Sequence, residues 1–295
     1  MTGPDHFHDA AVGAAAVFAL AAVWRWWVLM RRLAAAAGAP EASRTAAGAA
    51  AAAVTVCTMV PVYALASLAS LVWVEWAPVL DLARDAYEGL VLTAFVAMSV
   101  RLARSAAVPL PGAARAVNAA RIYAIVKPAM AALGIVGALV PALGWEEGVF
   151  GWTSLWMWAT LANNAAVSYA MAGLMGIYSV LHHDLPPSAR ITPKLLCVKA
   201  ILFLAFWQGC LIALLAHFDM LPATAHYAVE AVEYQLQDLL MVVECWFLAL
   251  AHEHAFILDA PPSIRASAQH RSRTSDAKWI AASILTIKPA KLKTE

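Results

Sequence analysis

Long apolar runs alternate with short polar connections along the chain, and this alternation predicts its secondary structure. A helix that crosses a bilayer needs about 20 largely apolar residues, and seven runs qualify, some with polar interruptions. They cover residues 10–30, 46–74, 82–100, 122–144, 150–181, 195–217 and 232–257. The sequence therefore predicts an all-α, polytopic membrane bundle of seven transmembrane helices.

Two of the predicted spans contain residues that disturb a simple apolar helix. Pro61 interrupts the second span, because proline lacks a backbone N–H and kinks a helix. The third span begins with Arg84, Asp85 and Glu88, so it is the weakest of the seven. We expect a kink in the second span and polar surroundings for the start of the third.

The composition supports a membrane protein and argues against several other classes. Hydrophobic residues make up 63% of the chain and charged residues 13%, whereas soluble domains carry about 25% charged residues. The net charge is +1 and the basic residues form no patch with aromatic residues, so we expect no nucleic-acid partner. All four cysteines lie in apolar runs without a CxxC pair, which argues against a disulfide framework or a structural zinc site. They are Cys57, Cys197, Cys210 and Cys245.

Lysine and arginine collect in alternate loops, and this asymmetry predicts the orientation of the bundle. When the in-span residues Arg25 and Lys199 are left out, the two sides hold 17 basic residues and one. Lys127 counts among the 17, with the loop between the third and fourth spans. Because cytosolic loops carry the excess of Lys and Arg, we expect the N-terminus outside or in a lumen and the C-terminus in the cytosol.

This orientation divides the chain into three predicted regions. Residues 1–9 form an extracellular or lumenal N-terminus, residues 10–257 form the seven-helix transmembrane domain, and residues 258–295 form a cytosolic tail. The apolar stretch KWIAASILTI in the tail is too short to span and would suit a helix along the membrane interface, with a disordered tail as the alternative.

Polar side chains inside the predicted spans are the candidate functional residues. An ionisable group in a spanning helix costs several kcal/mol unless it pairs or faces water, so each is a functional-site hypothesis. A rise of about 1.5 Å per residue sorts most of them into an outer and an inner level. The outer level comprises Asp85, Glu88, Gln208, Gln237 and Asp238, the inner level comprises Lys199 and Glu244, and the fifth span adds Asn164.

Two interpretations of these residues remain open at this point. They are either hydrogen-bonded links between helices or the lining of a cavity for a polar or amphipathic solute. The acidic excess of the outer level favours a cavity, because unpaired carboxylates need water, protons or a cation. We expect Lys199 to be neutralised by Glu244 or by a bound anionic group, and Gln208 to lie near Gln237.

Four segments resemble one known family in the same order along the chain. MVPVYALASLASL, RDAYEGLVLTAF, KLLCVKAILFLAFWQG and QLQDLLMVVECWFLALAHEHAF, within residues 50–257, are similar to the organic solute transporter alpha-subunit family. The similarity is greater to its transmembrane protein 184 branch and the plant relatives of that branch. The residues that match the family's patterns are Arg84, Asp85, Tyr87, Glu88, Lys199, Phe206, Trp207, Gln208, Gly209, Gln237, Glu244 and His252. Asp238 stands where the family usually has Asn.

The resemblance implies seven spans with an extracellular N-terminus, which agrees with the distribution of basic residues. It also implies facilitated diffusion of steroid- or bile-acid-like amphipathic anions, with a single-span beta-type subunit as a partner. We therefore expect a carrier in the plasma membrane or an endomembrane such as a vacuole or endosome, surrounded by lipid and joined to such a subunit or to a second copy of itself. The alternative is a seven-span receptor or a membrane-traffic or signalling scaffold without transport activity.

We expect neither an enzyme nor a cofactor. A retinal protein would need a lysine in the seventh span, and none lies between Glu230 and Ile257. His252 and His254 are two residues apart and point to opposite sides of a helix, so they cannot hold one catalytic metal ion from one face.

Overall fold

The structure is a computed structural model that describes residues 4–37, 44–145, 151–185, 187–218, 220 and 229–257. These residues form α-helices joined by short connections and contain no β-strand, which confirms the predicted all-α class. The helices are α1 (Pro4–Ala37), α2 (Arg44–Cys57), α3 (Met59–Val72), α4 (Ala77–Ser105), α5 (Ala113–Leu139), α6 (Leu155–Asp184), α7 (Ile191–His217) and α8 (Val229–Ile257). The predicted tail helix lies outside the described residues.

Six segments among the described residues are long and apolar enough to cross a membrane. They are Asp9–Ala34, Ala49–Val72, Val74–Ser105, Ala113–Leu139, Leu155–Asp184 and Val232–Phe256. The segment predicted at 195–217 is also a helix, α7, of 27 residues, but it is not one of these six. The chain is therefore an integral membrane protein with six candidate spans in its described part.

The second predicted span is divided at Thr58, and this break has a covalent cause. Because Pro61 has no N–H, the carbonyl of Cys57 receives no helical hydrogen bond from position 61. Helix α2 ends at Cys57 and α3 begins at Met59, while the Thr58 hydroxyl donates to the Val54 carbonyl at 2.8 Å. The predicted interruption by Pro61 thus appears as a break between two stacked helices.

Helix α5 begins well before the predicted start of the fourth span at residue 122. Gly112 has φ 85°, a left-handed conformation that glycine adopts without a steric penalty, and the helix starts at Ala113. Lys127 consequently lies in the middle of α5. Its assignment to the basic loop between the third and fourth spans was wrong.

Close helix packing on one side of the bundle depends on two glycines. A Cβ atom on Gly89 of α4 would lie 2.5 Å from the Cα atom of Ala124 in α5. One on Gly173 of α6 would lie 3.0 Å from the Cα atom of Ala116 in α5. Small residues at such crossings let membrane helices approach closely, so α4, α5 and α6 pack side by side.

Helix α8 packs against α1, α3 and α7, and its last turns are tied to α1 by ion pairs. Oε2 of Glu253 lies 3.1 Å from Nη1 of Arg25, and Oε1 lies 2.7 Å from Nη1 of Arg32. Helix α7 also packs against α8 but makes few contacts with α4 and α6. The looser contact between these helices leaves room for a cavity.

Candidate functional site

A cavity of about 650 Å³ opens between six helices, from α3 to α8. Its polar lining consists of Tyr63, Asp81, Arg84, Asp85, Glu88, Tyr123, Lys127, Asn163, Asn164, Lys199 and Gln237. Its apolar lining consists of Leu92, Val167, Ala170, Met171, Phe203 and Met241. The cavity is therefore large enough for a drug-sized ligand, for which pockets measure about 300–1,000 Å³.

The carboxylate of Glu88 is the centre of one polar network in this cavity. Its Oε2 accepts hydrogen bonds from Nζ of Lys127 at 2.9 Å and from the hydroxyl of Tyr63 at 3.4 Å, and its Oε1 accepts one from the hydroxyl of Tyr123. Nζ of Lys127 also lies 3.2 Å from Oδ1 of Asp85. Glu88 is 7% exposed, so these partners replace the water that a buried carboxylate would otherwise need.

Arg84 is the centre of a second network, which joins three helices. Its Nη1 donates to Oδ1 of Asp238 in α8 at 2.8 Å and to Oγ of Ser67 in α3 at 2.5 Å. Its Nη2 donates a hydrogen bond to Oδ1 of Asp81, which lies one turn earlier in α4. Asp238, the residue that departs from the usual Asn, thus provides a second carboxylate for Arg84.

Lys199 of α7 differs from the other two cations of the cavity. Arg84 and Lys127 each contact two carboxylates, whereas Lys199 forms no ion pair with any residue that the structure describes. The expected pairing of Lys199 with Glu244 is absent there. Glu244 instead accepts a hydrogen bond from Nε2 of Gln208, which joins α7 to α8.

The eight predicted site residues divide into three groups. The cavity lining includes Asp85, Glu88, Asn164, Lys199 and Gln237, while Asp238 reaches the cavity through Arg84. Gln208 and Glu244 form a separate pair outside the lining. Glu244 therefore shares a level with Gln208, although the sequence predicts an inner position for Glu244 and an outer one for Gln208.

Several lining residues are not among the eight site residues predicted from the sequence. Tyr123 and Lys127 are four residues apart, and this spacing puts them on one face of α5, which was the available signal. Asn163 carries a buried side-chain oxygen, Oδ1, without a partner in the described part of the chain. Its neighbour Asn164 donates from Nδ2 to the carbonyl of Thr160 at 2.9 Å, within its own helix.

Comparison with known proteins adds an independent observation to this geometry. The family model described as organic solute transporter Ostalpha matches residues 12–108 and 122–261. A transmembrane protein 184 homolog from Dictyostelium discoideum is 29% identical over 224 residues, which cover 66% of this chain and 43% of that relative. The chain therefore spans less than half the length of this curated relative. No solved structure matches the chain.

Proposed function

Because the chain belongs to the organic solute transporter Ostalpha family, we propose that it is a membrane carrier for steroid- or bile-acid-like amphipathic anions, which it moves by facilitated diffusion. The family is of the solute-transporter type and is not an enzyme family. The observation that carries the proposal is a cavity lined by both apolar and polar side chains. Lys199 is part of this lining and has no carboxylate partner among the described residues.

The dimensions of the cavity suit an elongated solute. On α4 the lining runs from Asp81 to Leu92, which corresponds to about 16 Å at the rise of a helix. On α6 it runs from Asn163 to Met171, or about 12 Å. An amphipathic molecule of that length would place its apolar body against the aliphatic and aromatic lining.

The charges of the cavity favour one position for an anionic group. Arg84 and Lys127 are already neutralised by carboxylates of the protein, and an anion at either would compete with an existing ion pair. Lys199 has no such competitor among the residues described, so an anionic group can neutralise it without breaking a contact. The sequence predicts either Glu244 or a bound anionic group as the counter-ion of Lys199. The charges of the cavity favour the anionic group of the solute.

We also propose seven spans, with α7 as the additional one and with α2 and α3 together forming one. An odd number puts the two termini on opposite sides of the membrane, and the basic loops favour a cytosolic C-terminus. Because Lys127 lies within α5 and not in a loop, the predicted cytosolic side holds 16 basic residues and the other side one. The predicted orientation is unchanged. A single-span beta-type subunit or a second copy of the chain, in addition to lipid, is part of the same proposal.

Solute flux into proteoliposomes tests the carrier. The full chain is reconstituted and the uptake of a labelled steroid monosulfate is followed down its concentration gradient. Lys199→Met removes the charge, and because a hydrogen bond to a charged group contributes about 1.5–3 kcal/mol, the apparent affinity should fall about 10- to 150-fold. Lys199→Arg should retain most of it.

Ser168→Ala is the matched control, since Ser168 is an exposed polar residue of α6 outside the cavity lining. It should behave like the unmodified chain. Absence of flux for every amphipathic anion, with the protein folded, would contradict the carrier and favour the receptor or scaffold interpretation. Equal affinity of Lys199→Met and the unmodified chain would remove Lys199 from the solute site.

A further inference from the structure

Two polar groups of the cavity lack a protein partner in the described part of the chain, and they belong to different helices. One is the buried Oδ1 of Asn163 in α6, and the other is Nζ of Lys199 in α7, a partly buried residue of the lining. Buried polar atoms in native structures are almost always hydrogen-bonded, so Oδ1 of Asn163 requires an explanation, and the charge of Lys199 requires a counter-ion or water. In a cavity that binds a solute, the simplest explanation is that the solute provides the missing partners.

We propose, on the basis of the carrier function above, that the solute of this protein is an amphipathic anion with a hydroxyl or N–H donor at its opposite end. The anionic group binds Lys199, and the donor binds Oδ1 of Asn163. Asn163 then determines specificity among anions of similar size, because a solute without the donor would leave this buried oxygen without a partner.

The spacing of the two groups follows from a contact near the ends of their helices. The hydroxyl of Tyr178 in α6 lies 3.0 Å from Oγ1 of Thr192 in α7, so these two residues share a level. Asn163 precedes Tyr178 by 15 positions and Lys199 follows Thr192 by seven, which correspond to about 22 Å and about 10 Å along the two helices. The backbones of Asn163 and Lys199 are therefore separated by roughly 12 Å along the bundle.

On α6 and α7 the lining between these levels is apolar. Val167, Ala170 and Met171 follow Asn163 at helical spacing on the same side of α6, and Phe203 follows Lys199 one turn later in α7. A rigid apolar body of the solute would contact these side chains while its two ends reach the polar groups. This arrangement excludes a compact anion whose donor is adjacent to the charge.

The surroundings of Asn163 favour an uncharged donor over a second anionic group. Gly173 and Ala116 meet where α5 and α6 cross. Asn163 lies ten residues from that point and Lys127 lies eleven, in the same direction along the bundle. Asn163 is therefore level with the network in which Lys127 contacts Asp85 and Glu88. Two carboxylates at this level disfavour further negative charge, whereas a hydroxyl or N–H group brings none.

Binding of three matched ligands to the full chain in lipid nanodiscs tests the inference. Each is a steroid monosulfate with the sulfate at one end of the ring system, and the other end carries a hydroxyl, a ketone or hydrogen. A neutral hydrogen bond corresponds to an affinity difference of about three- to tenfold. The hydroxyl compound should bind more tightly than the other two by this factor, because only it can donate to Oδ1.

The variants assign this preference to its residue. Asn163→Leu, which keeps a similar volume without polar atoms, should reduce the affinity ratio of hydroxyl to hydrogen compound to about one. Lys199→Met should weaken all three ligands alike and leave the ratio unchanged. Ser168→Ala on the exposed side of α6 is the control and should alter neither quantity.

The outcomes separate this inference from the proposed function. If all three sulfates bind the unmodified chain equally, the donor requirement is wrong while the carrier remains. A preference for hydroxyl that survives in Asn163→Leu overturns the role of Asn163. If none of the sulfates binds, both the anion carrier and the inference fail. The ligand series on the unmodified chain decides the donor requirement even if Asn163→Leu does not fold.

Discussion

Replacement of Lys127 by Met should destabilise the bundle strongly, because this lysine neutralises two carboxylates in the interior. Its Nζ lies 2.9 Å from Glu88 and 3.2 Å from Asp85. The Lys127 and Glu88 side chains are 19% and 9% exposed, whereas that of Asp85 is 30% exposed. Removal of one partner from a buried ion pair costs about 3–5 kcal/mol. Loss of the more exposed contact with Asp85 adds at most about 1 kcal/mol to this destabilisation.

The free energy of unfolding, measured by titration of mixed micelles with a denaturing detergent, checks this magnitude. A double-mutant cycle isolates the ion pair from other effects of the substitution. In the double variant Lys127→Met/Glu88→Gln no uncompensated carboxylate remains at position 88. Its loss of stability should therefore be smaller than the sum of the two single losses, by about 0.5–3 kcal/mol.

Arg104→Met provides the matched control. Arg104 is exposed in the last turn of α4, and surface substitutions usually change stability by no more than about 0.5 kcal/mol. A loss for Lys127→Met as small as that of the control would refute the argument. So would a double variant whose loss equals the sum of the two single losses, because the two side chains would then act independently.

Three further predictions concern packing, a helix link and topology. Gly89→Ala should lower the free energy of unfolding by about 1–3 kcal/mol, since the new Cβ atom would collide with Ala124, whereas Gly176→Ala in α6, where nothing lies within 4 Å, should be neutral or slightly stabilising. Gln208→Leu should cost about 1–3 kcal/mol by leaving Glu244 without its donor; a loss below about 0.5 kcal/mol in the same detergent titration would contradict this link. Epitope tags at the two termini of the chain, probed with antibody before and after selective permeabilisation, should become accessible from opposite sides of the membrane, and detection on the same side would exclude the proposed seven spans.

The helices could be predicted from the sequence because hydropathy over about 20 residues is a property of a single segment. The start of α5 could not, since its first turns contain Arg115 and Arg121, which a search for apolar runs excludes from a span. The same rule made the third span seem weak, although its charged residues face the cavity. Hydropathy therefore located the helices but shortened those that begin with polar turns.

Most of the lining could be predicted by residue type, but the pairing of its members could not. Depth along the sequence follows from residue number only for a helix perpendicular to the membrane, and on that basis Glu244 is predicted at the level of Lys199. Lys199 and Gln208 are nine residues apart and lie on opposite sides of α7, so a single partner in α8 cannot serve both. Which one Glu244 meets depends on the tilt and rotation of α7 against α8, and packing of the whole bundle sets these angles.

The break near Pro61 divides the second predicted span into two helices, so α3 can tilt against α2 without bending one continuous helix. Helix α3 carries Tyr63, which touches Glu88, and Ser67, which touches Arg84. A rearrangement of either network on solute entry would therefore displace α3. This helix is joined to α2 at a position where one helical hydrogen bond is missing. Because one helical hydrogen bond is already missing at this joint, pivoting of α3 there costs less than bending an uninterrupted helix would.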